Sequence, residues 1–259
     1  MSLDHQQTLI NDGFVLIQNY FEKEEGQKVV EWANEIESWP EEKGKWMIYH
    51  ESSNKNTKKR ARLENFLKYH PQLNDILINR LKPLLEELVS EKVNLFKEKI
   101  NWKYPQGKGF KPHQDQPAWT DFKGDKFFTM AMFANKTTKE NGCLEFVKGK
   151  NKEGVLSYDV EGTGQISKEV EDTLDWRHIT TTPRDILIFD SYAPHRSDMN
   201  ITDESRRIFY FTFNYAKDGD HYDSYLKRKR IEFPPDIERD ENTKISGLGN
   251  KYNLANPID

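Results

Sequence analysis

The chain has 259 residues, 35% of them hydrophobic and 12% aromatic, which is enough for one large core, and a mild net charge of −4 that gives no sign of a general nucleic-acid binder. A single cysteine, Cys143, excludes an internal disulfide and fits a reducing compartment, and no apolar run approaches membrane-spanning length. The start "MSLDHQQTLINDGF" lacks a basic stretch followed by an apolar one, and the ending "NLANPID" is not a peroxisomal tripeptide. The expectation is a cytoplasmic protein that acts on a small molecule, with no nucleic-acid, membrane or protein partner.

Residues 4 to 11 and 22 to 38 read as helices around a short strand, "GFVLIQNY". Phe21, Val29, Val30, Trp32 and Ile36 recur at roughly helical spacing. "ESSNKNTKKRAR", 51 to 62, is polar and basic and reads as a solvated loop. Residues 73 to 93 read as an amphipathic helix pair broken at Pro83. From Asn94 strands dominate: "NLFKEKINWKYP", "FFTMAMFAN", "GCLEFVKG", "DILIFDSY" and "RRIFYFTFNYA", separated by Gly, Pro, Asn and Asp. A single domain is expected, with a mostly helical lead-in over 1–93, a β core over 94–215 and a C-terminal extension over 216–259. Short strands in such a run predict a mainly β double-sheet jelly roll or barrel with the early helices outside.

"FKPHQDQPAWTDF" places His113 and Asp115 two positions apart, so in an extended segment both point the same way. A third ligand is expected at the end of a late strand, and His195 follows Pro194 in "DILIFDSYAPHRSDMN". His5, His50, His70, His178 and His221 read as surface or core residues, His178 for want of a nearby carboxylate. Two histidines and one aspartate leave one face of an octahedral metal open, which is how non-haem Fe(II) oxygenases hold iron.

A 2-oxoglutarate co-substrate needs a cation for its distal carboxylate, and an arginine fork suits it. In "RRIFYFTFNY", alternation puts Arg206, Ile208, Tyr210, Thr212 and Asn214 on one face. Arg207, Phe209, Phe211, Phe213 and Tyr215 share the more apolar one, so Arg206 is preferred. In "FKEKINWKYP", Lys97, Lys99, Asn101 and Lys103 share a face. It is either a solvated sheet face or the lining of a site that attracts an anion. Trp46, Tyr49 and Trp119 are candidate pocket walls.

Taken together, "INDGFVLIQNYF", "PHQD", "ENGCLEFVKGKN", "PRDILIFDSYAPHRSDMN" and "SRRIFYFTFN" resemble the phytanoyl-CoA dioxygenase (PhyH) superfamily of Fe(II)/2-oxoglutarate oxygenases over most of the chain. The resemblance implies a double-stranded β-helix with N-terminal helices. It implies iron held by His113, Asp115 and His195, and 2-oxoglutarate held by Arg206 and Ser197. The strand "INWKYP" is similar to that of ectoine hydroxylases, which implies that Lys103 meets the co-substrate and that Lys97 lies where substrate is contacted. "ARLENF" aligns with a segment whose basic residue, here Arg62, reaches the co-substrate; Asn101 shares the lysine face and is placed with it.

Lys97 stands where the ectoine enzymes have a neutral residue, which argues against ectoine. No coenzyme A site is evident. "LFKEKIN", the "HQD" box and the tail "FPPDIERDENTKISGLGNKYNLANPI" resemble 2-aminoethylphosphonate dioxygenases. The resemblance therefore implies a hydroxylase using Fe(II), 2-oxoglutarate and O₂ on a small anionic or zwitterionic molecule such as an organophosphonate. Lys97, Lys99, Trp119 and Tyr49 are the candidate substrate contacts. An amino acid-like or acyl substrate for the same chemistry is the alternative, and a jelly-roll binding module without turnover is the second.

Overall fold

The structure, a computed structural model, describes residues 3–52, 58–158, 164–241 and 243. Helix α1 (Leu3–Asp12) leads into β1 (Phe14–Ile17) and then α2 (Lys23–Ser38). A capping box starts α2: Glu25 Oε2 accepts from the Glu22 amide at 2.9 Å, and Glu22 returns the bond. Its stripe of Val29, Ala33 and Ile36 is fully buried.

The next strands are β2 (Met47–Ser52) and β3 (Lys58–Glu64), then helices α3 (Pro71–Ile76) and α4 (Lys82–Val89). After them come β4 (Val93–Lys103), β5 (Phe110–His113), β6 (Phe127–Phe133), β7 (Leu144–Phe146) and the short helix α5 (Lys168–Glu171). The chain continues through β8 (Arg177–Ile179), β9 (Ile186–Asp190), β10 (His195–Ser197), β11 (Arg206–Tyr215) and α6 (Tyr222–Glu232). A seven-stranded sheet has the order β1-β9-β6-β11-β4-β3-β2, and a four-stranded sheet has the order β5-β10-β7-β8. Neighbours pair antiparallel throughout. This is the jelly-roll architecture.

Side-chain alternation gives the large sheet two jobs. Met130, Met132, Ile186, Ile188, Phe209 and Phe211 form one face and pack with the helices. Ala131, Phe133, Leu187, Phe189, Ile208 and Tyr210 form the other and meet Leu144 and Phe146 of the small sheet. The inner face of β4 is polar instead, and that is where the site lies. A bulge marks its far end: Thr212 pairs with Lys97 and Phe213 with Leu95, leaving Phe96 extra. The bulge brings Phe96 and Lys97 to the same neighbours, Trp119 and Tyr225.

Three expectations are corrected. Residues 51 to 62 are not a solvated loop: the hairpin β2–β3 occupies both ends, with 53–57 outside the described residues. The charged composition hid it because Arg62 and Glu64 are buried by pairing with each other, while Lys58 and Lys59 lie on the stretch of β3 that pairs with β2 alone, short of the pairing with β4. The helix pair breaks before Pro83, in a π-type turn at Leu77–Leu81, because Pro83 has no N–H to offer the preceding turn. Val93, expected in that helix pair, opens β4 instead, after Ser90 ends α4 at φ +54°. The tail that contributed to the resemblance lies, from residue 244 on, outside the described residues. Among the described residues no helix is long and apolar enough to cross a membrane.

Phe209, fully buried between sheet and helices, sets a packing test. Phe209→Ala is expected to lower unfolding free energy by about 3–5 kcal/mol, read from denaturant midpoints at unchanged m-value. A loss below about 1 kcal/mol would mean that the helical layer is not seated as described.

Candidate metal centre and active site

His113 ends β5, His195 begins β10, and the two are register partners across that antiparallel pair. Their ring centroids lie 4.1 Å apart. Each Nδ1 faces a carbonyl two residues earlier: Lys111 O at 2.7 Å from His113, Ala193 O at 3.0 Å from His195. A carbonyl only accepts, so Nδ1 carries the proton and the Nε2 lone pair is left for a metal. Phe146 stacks on the His195 ring at 5.4 Å.

Asp115 reaches the same point by a different route from the one expected. β5 ends at His113, and Asp115 is already helical at φ −76°, ψ −31°, capping the turn Gln116–Trp119. The turn, not strand alternation, swings its carboxylate to 3.9 Å from His113 Nε2. One ligand atom from each of His113, Asp115 and His195 lies within 4.8 Å of the others, so the three could hold a metal ion. Burial, with His195 close by, pushes the His113 imidazole down to about 3, and burial also lowers His195. Burial alone would raise Asp115, but the neighbouring imidazoles and Lys97 and Lys99 hold it below the ordinary range. Neutral imidazoles beside an ionised carboxylate are the donor set that a divalent cation takes, so the residues fit Fe(II).

A cavity opens beside the three, lined by Lys99, Asn101, Thr129, Phe189, Tyr210 and Thr212 among others. The lysine face of β4 thus turns inward. Lys99 Nζ lies 5.1 Å from the Tyr210 ring centroid, and burial together with the charge of Arg62 pushes it well below the usual lysine range. Lys97 sits deeper, 4.4 Å from the Trp119 ring, and does not line this cavity. Trp119 packs with Phe96 and Phe127. Tyr49 is fully buried and donates to Phe233 O at 2.9 Å, while Trp46 stacks on Trp39 in the helical layer, so neither borders the cavity.

Arg206 is 2% exposed and pairs in register with Lys103. Lys103 Nζ donates to Ser197 Oγ at 2.8 Å and to Asp198 O. Gly142 makes room for this group: its φ is +68°, and a Cβ there would stand 2.9 Å from Lys103 Nζ. The Arg206 Nε is buried without a hydrogen-bond partner, an unmet donor that suits an incoming carboxylate. Arg207 faces the other way, onto Asn135 and Glu37. Arg62 Nε donates to Asn101 Oδ1 at 3.0 Å, from a strand away.

Thr129 was not anticipated in the wall. The signal was present: it is the one polar residue of "FFTMAMF", and its hydroxyl meets that of Thr212 at 2.9 Å. His178 does have a carboxylate nearby, Glu145 at 3.9 Å, reached through strand pairing that spacing along the chain did not reveal.

A jelly roll holding two histidines and an aspartate beside a buried arginine defines an iron- and 2-oxoglutarate-dependent dioxygenase. Residues 10–208 match the family model described as phytanoyl-CoA dioxygenase (PhyH), and the chain belongs to that family. It is 39% identical to "2-aminoethylphosphonate dioxygenase" of uncultured bacterium HF130_AEPn_1, over 96% of this chain and 95% of that one. It is 36% identical to "Methylphosphonate hydroxylase" of Gimesia maris, over 92% of this chain and 90% of that one. Among solved structures, EctD from S. alaskensis with 2-oxoglutarate and 5-hydroxyectoine has a similar fold, with TM-score 0.72, 17% identity, and coverage of 84% of this chain and 77% of that one.

His113→Ala, Asp115→Ala and His195→Ala are each expected to abolish iron-dependent turnover and tight Fe(II) binding while the circular dichroism spectrum is kept. Wild-type decarboxylation of 2-oxoglutarate by Asp115→Ala would remove the assignment.

Proposed function

We propose that the chain hydroxylates a small organophosphonate, with 2-oxoglutarate as co-substrate. The observation that carries this reading is Lys99, a cation in the cavity wall beside the three metal-ligating residues. Around it lie the basic side chains Arg62 and Lys97 and the carboxylates Glu64 and Asp115, so that with Lys99 itself basic groups outnumber carboxylates in a dry region. Such a field favours a doubly charged tetrahedral anion, and an ammonium meets it without demanding planar geometry. The names of the two relatives point the same way.

In this reading His113, Asp115 and His195 hold Fe(II), leaving positions for co-substrate and O₂. Arg206, Lys103 and Ser197 receive the distal carboxylate of 2-oxoglutarate, and Asn101, steadied by Arg62, completes that wall. Iron with 2-oxoglutarate and O₂ supplies the oxidising power that turns a C–H bond into an alcohol, with release of succinate and CO₂. Lys99 orients the substrate's anionic end, and Phe189 and Tyr210 keep water from the reacting carbon. The family acts on small molecules, and the phosphonate is the finer assignment made here.

Two measurements test it. Arg206→Ala is expected to raise the 2-oxoglutarate requirement far more than that for substrate, the loss of a charge-assisted pair costing about 2–5 kcal/mol. Arg207→Ala, on the opposite face, is expected to change stability more than that requirement. Lys99→Gln should raise KM for alkylphosphonates, followed by succinate release across a panel of phosphonates, amino acids and acyl compounds. Because burial lowers Lys99, raising the pH discharges it earlier than a free lysine, so KM should climb with pH in the wild type and lose that Lys99-dependent component in Lys99→Gln. A Lys99→Gln enzyme with unchanged KM for every phosphonate turned over would remove the substrate assignment and leave the iron site standing.

A further inference from the structure

Glu64 and Lys229 are both fully buried, and the Lys229 ammonium donates to Glu64 Oε1. Neither borders the cavity. They join β3 to α6, two elements far apart in the chain. Tyr225, one turn before Lys229, donates its hydroxyl to Glu64 Oε2 at 3.4 Å, and the Lys229 ammonium sits 4.7 Å from the Tyr49 ring centroid. Glu64 Oε1 also lies 3.5 Å from Arg62, two residues back on the same face of β3. Arg62 in turn donates from Nε to Asn101 Oδ1, and Asn101 is the cavity wall.

The direction of that last bond matters. An arginine only donates, so it takes up the amide oxygen of Asn101 and leaves the Nδ2 hydrogens for the cavity. Asn101 thereby presents a donor to an anion rather than an acceptor that would repel it. The orientation holds only while Arg62 stays in place, and a carboxylate at 64 gives it a reason to stay. Glu64 keeps its charge: burial alone would raise it, but Lys229 and Arg62 hold it at about 2, whereas burial brings Lys229 itself down to about 7.

We propose that Glu64, fixed by Lys229 of the last helix, is a positioning residue that sets the amide of Asn101 as a donor through Arg62. This rests on the co-substrate reading of Arg206, Lys103 and Asn101. A buried ion pair could instead serve only to seat α6. The two roles separate in the double variant Glu64→Gln/Lys229→Met, which removes both charges and leaves neither partner stranded.

The experiment is calorimetric titration of 2-oxoglutarate into the anaerobic Fe(II) protein, with Tm and steady-state constants on the same preparations. Glu64→Gln alone should lower Tm and weaken 2-oxoglutarate binding about tenfold. The double variant should recover most of the Tm and keep the weakened binding, with KM for 2-oxoglutarate raised and kcat changed less. Glu64→Asp keeps the charge and protects against loss of fold, and should weaken binding by a smaller factor. Wild-type affinity in the double variant, or in Glu64→Asp should the double variant not fold, overturns the positioning role. Arg206→Ala on the same titration is the control: unchanged affinity there would overturn the co-substrate reading itself.

Discussion

The pairing of β5 with β10 carries the site. It sets His113 opposite His195 in register, and a main-chain carbonyl fixes each ring at Nδ1. Burial disfavours the charged form of either imidazole, and two protonated rings 4.1 Å apart would repel, so the pair favours the neutral form that a metal needs. The two strands are short, four and three residues, and β10 is paired on its other side with β7. Phe146, the register partner of His195 on β7, stacks on its ring, and Phe189 of the large sheet packs against the same ring. The jelly roll thus fixes two imidazoles at a sheet edge, and the turn after β5 brings the carboxylate, a set that could hold a metal ion.

The inner face of β4 shows what a binding site costs a fold. Strands β1, β6 and β9 of the same sheet bury Phe, Leu and Ala toward the small sheet, whereas β4 turns Lys97, Lys99, Asn101 and Lys103 inward. Burial discourages the charge on all three lysines. Lys103 is satisfied by Ser197 and Asp198, and Lys97 is cushioned by Trp119 and Tyr225. Lys99 has an aromatic ring and open space. A group left in that condition beside three residues that could hold a metal is what the proposed anionic substrate would use.

Much of this was legible in the chain. The strand-end proline before His195, the spacing of His113 and Asp115, and the alternation that separates Arg206 from Arg207 are local patterns, and local patterns survive in sequence. The structure places Arg206 inside and Arg207 on the helical side, as alternation requires. What was not legible depends on pairing at a distance. The β2–β3 hairpin looked like a charged loop because its buried ions neutralise each other. Tyr49 and Trp46 looked like pocket walls because aromatic residues serve cores and pockets alike. The turn that aims Asp115 mimics strand alternation at that separation, so a mistaken local geometry still led to the same three residues.

The most direct measurement of the central claim is the fate of ¹⁸O₂ in the presence of Fe(II), 2-oxoglutarate and an alkylphosphonate substrate. One labelled oxygen atom in succinate and one in a hydroxylated phosphonate is the result that this account predicts, since each O₂ is divided between the two products. Hydroxylated product without label, or consumption of O₂ and 2-oxoglutarate with no phosphonate oxidised, would contradict it.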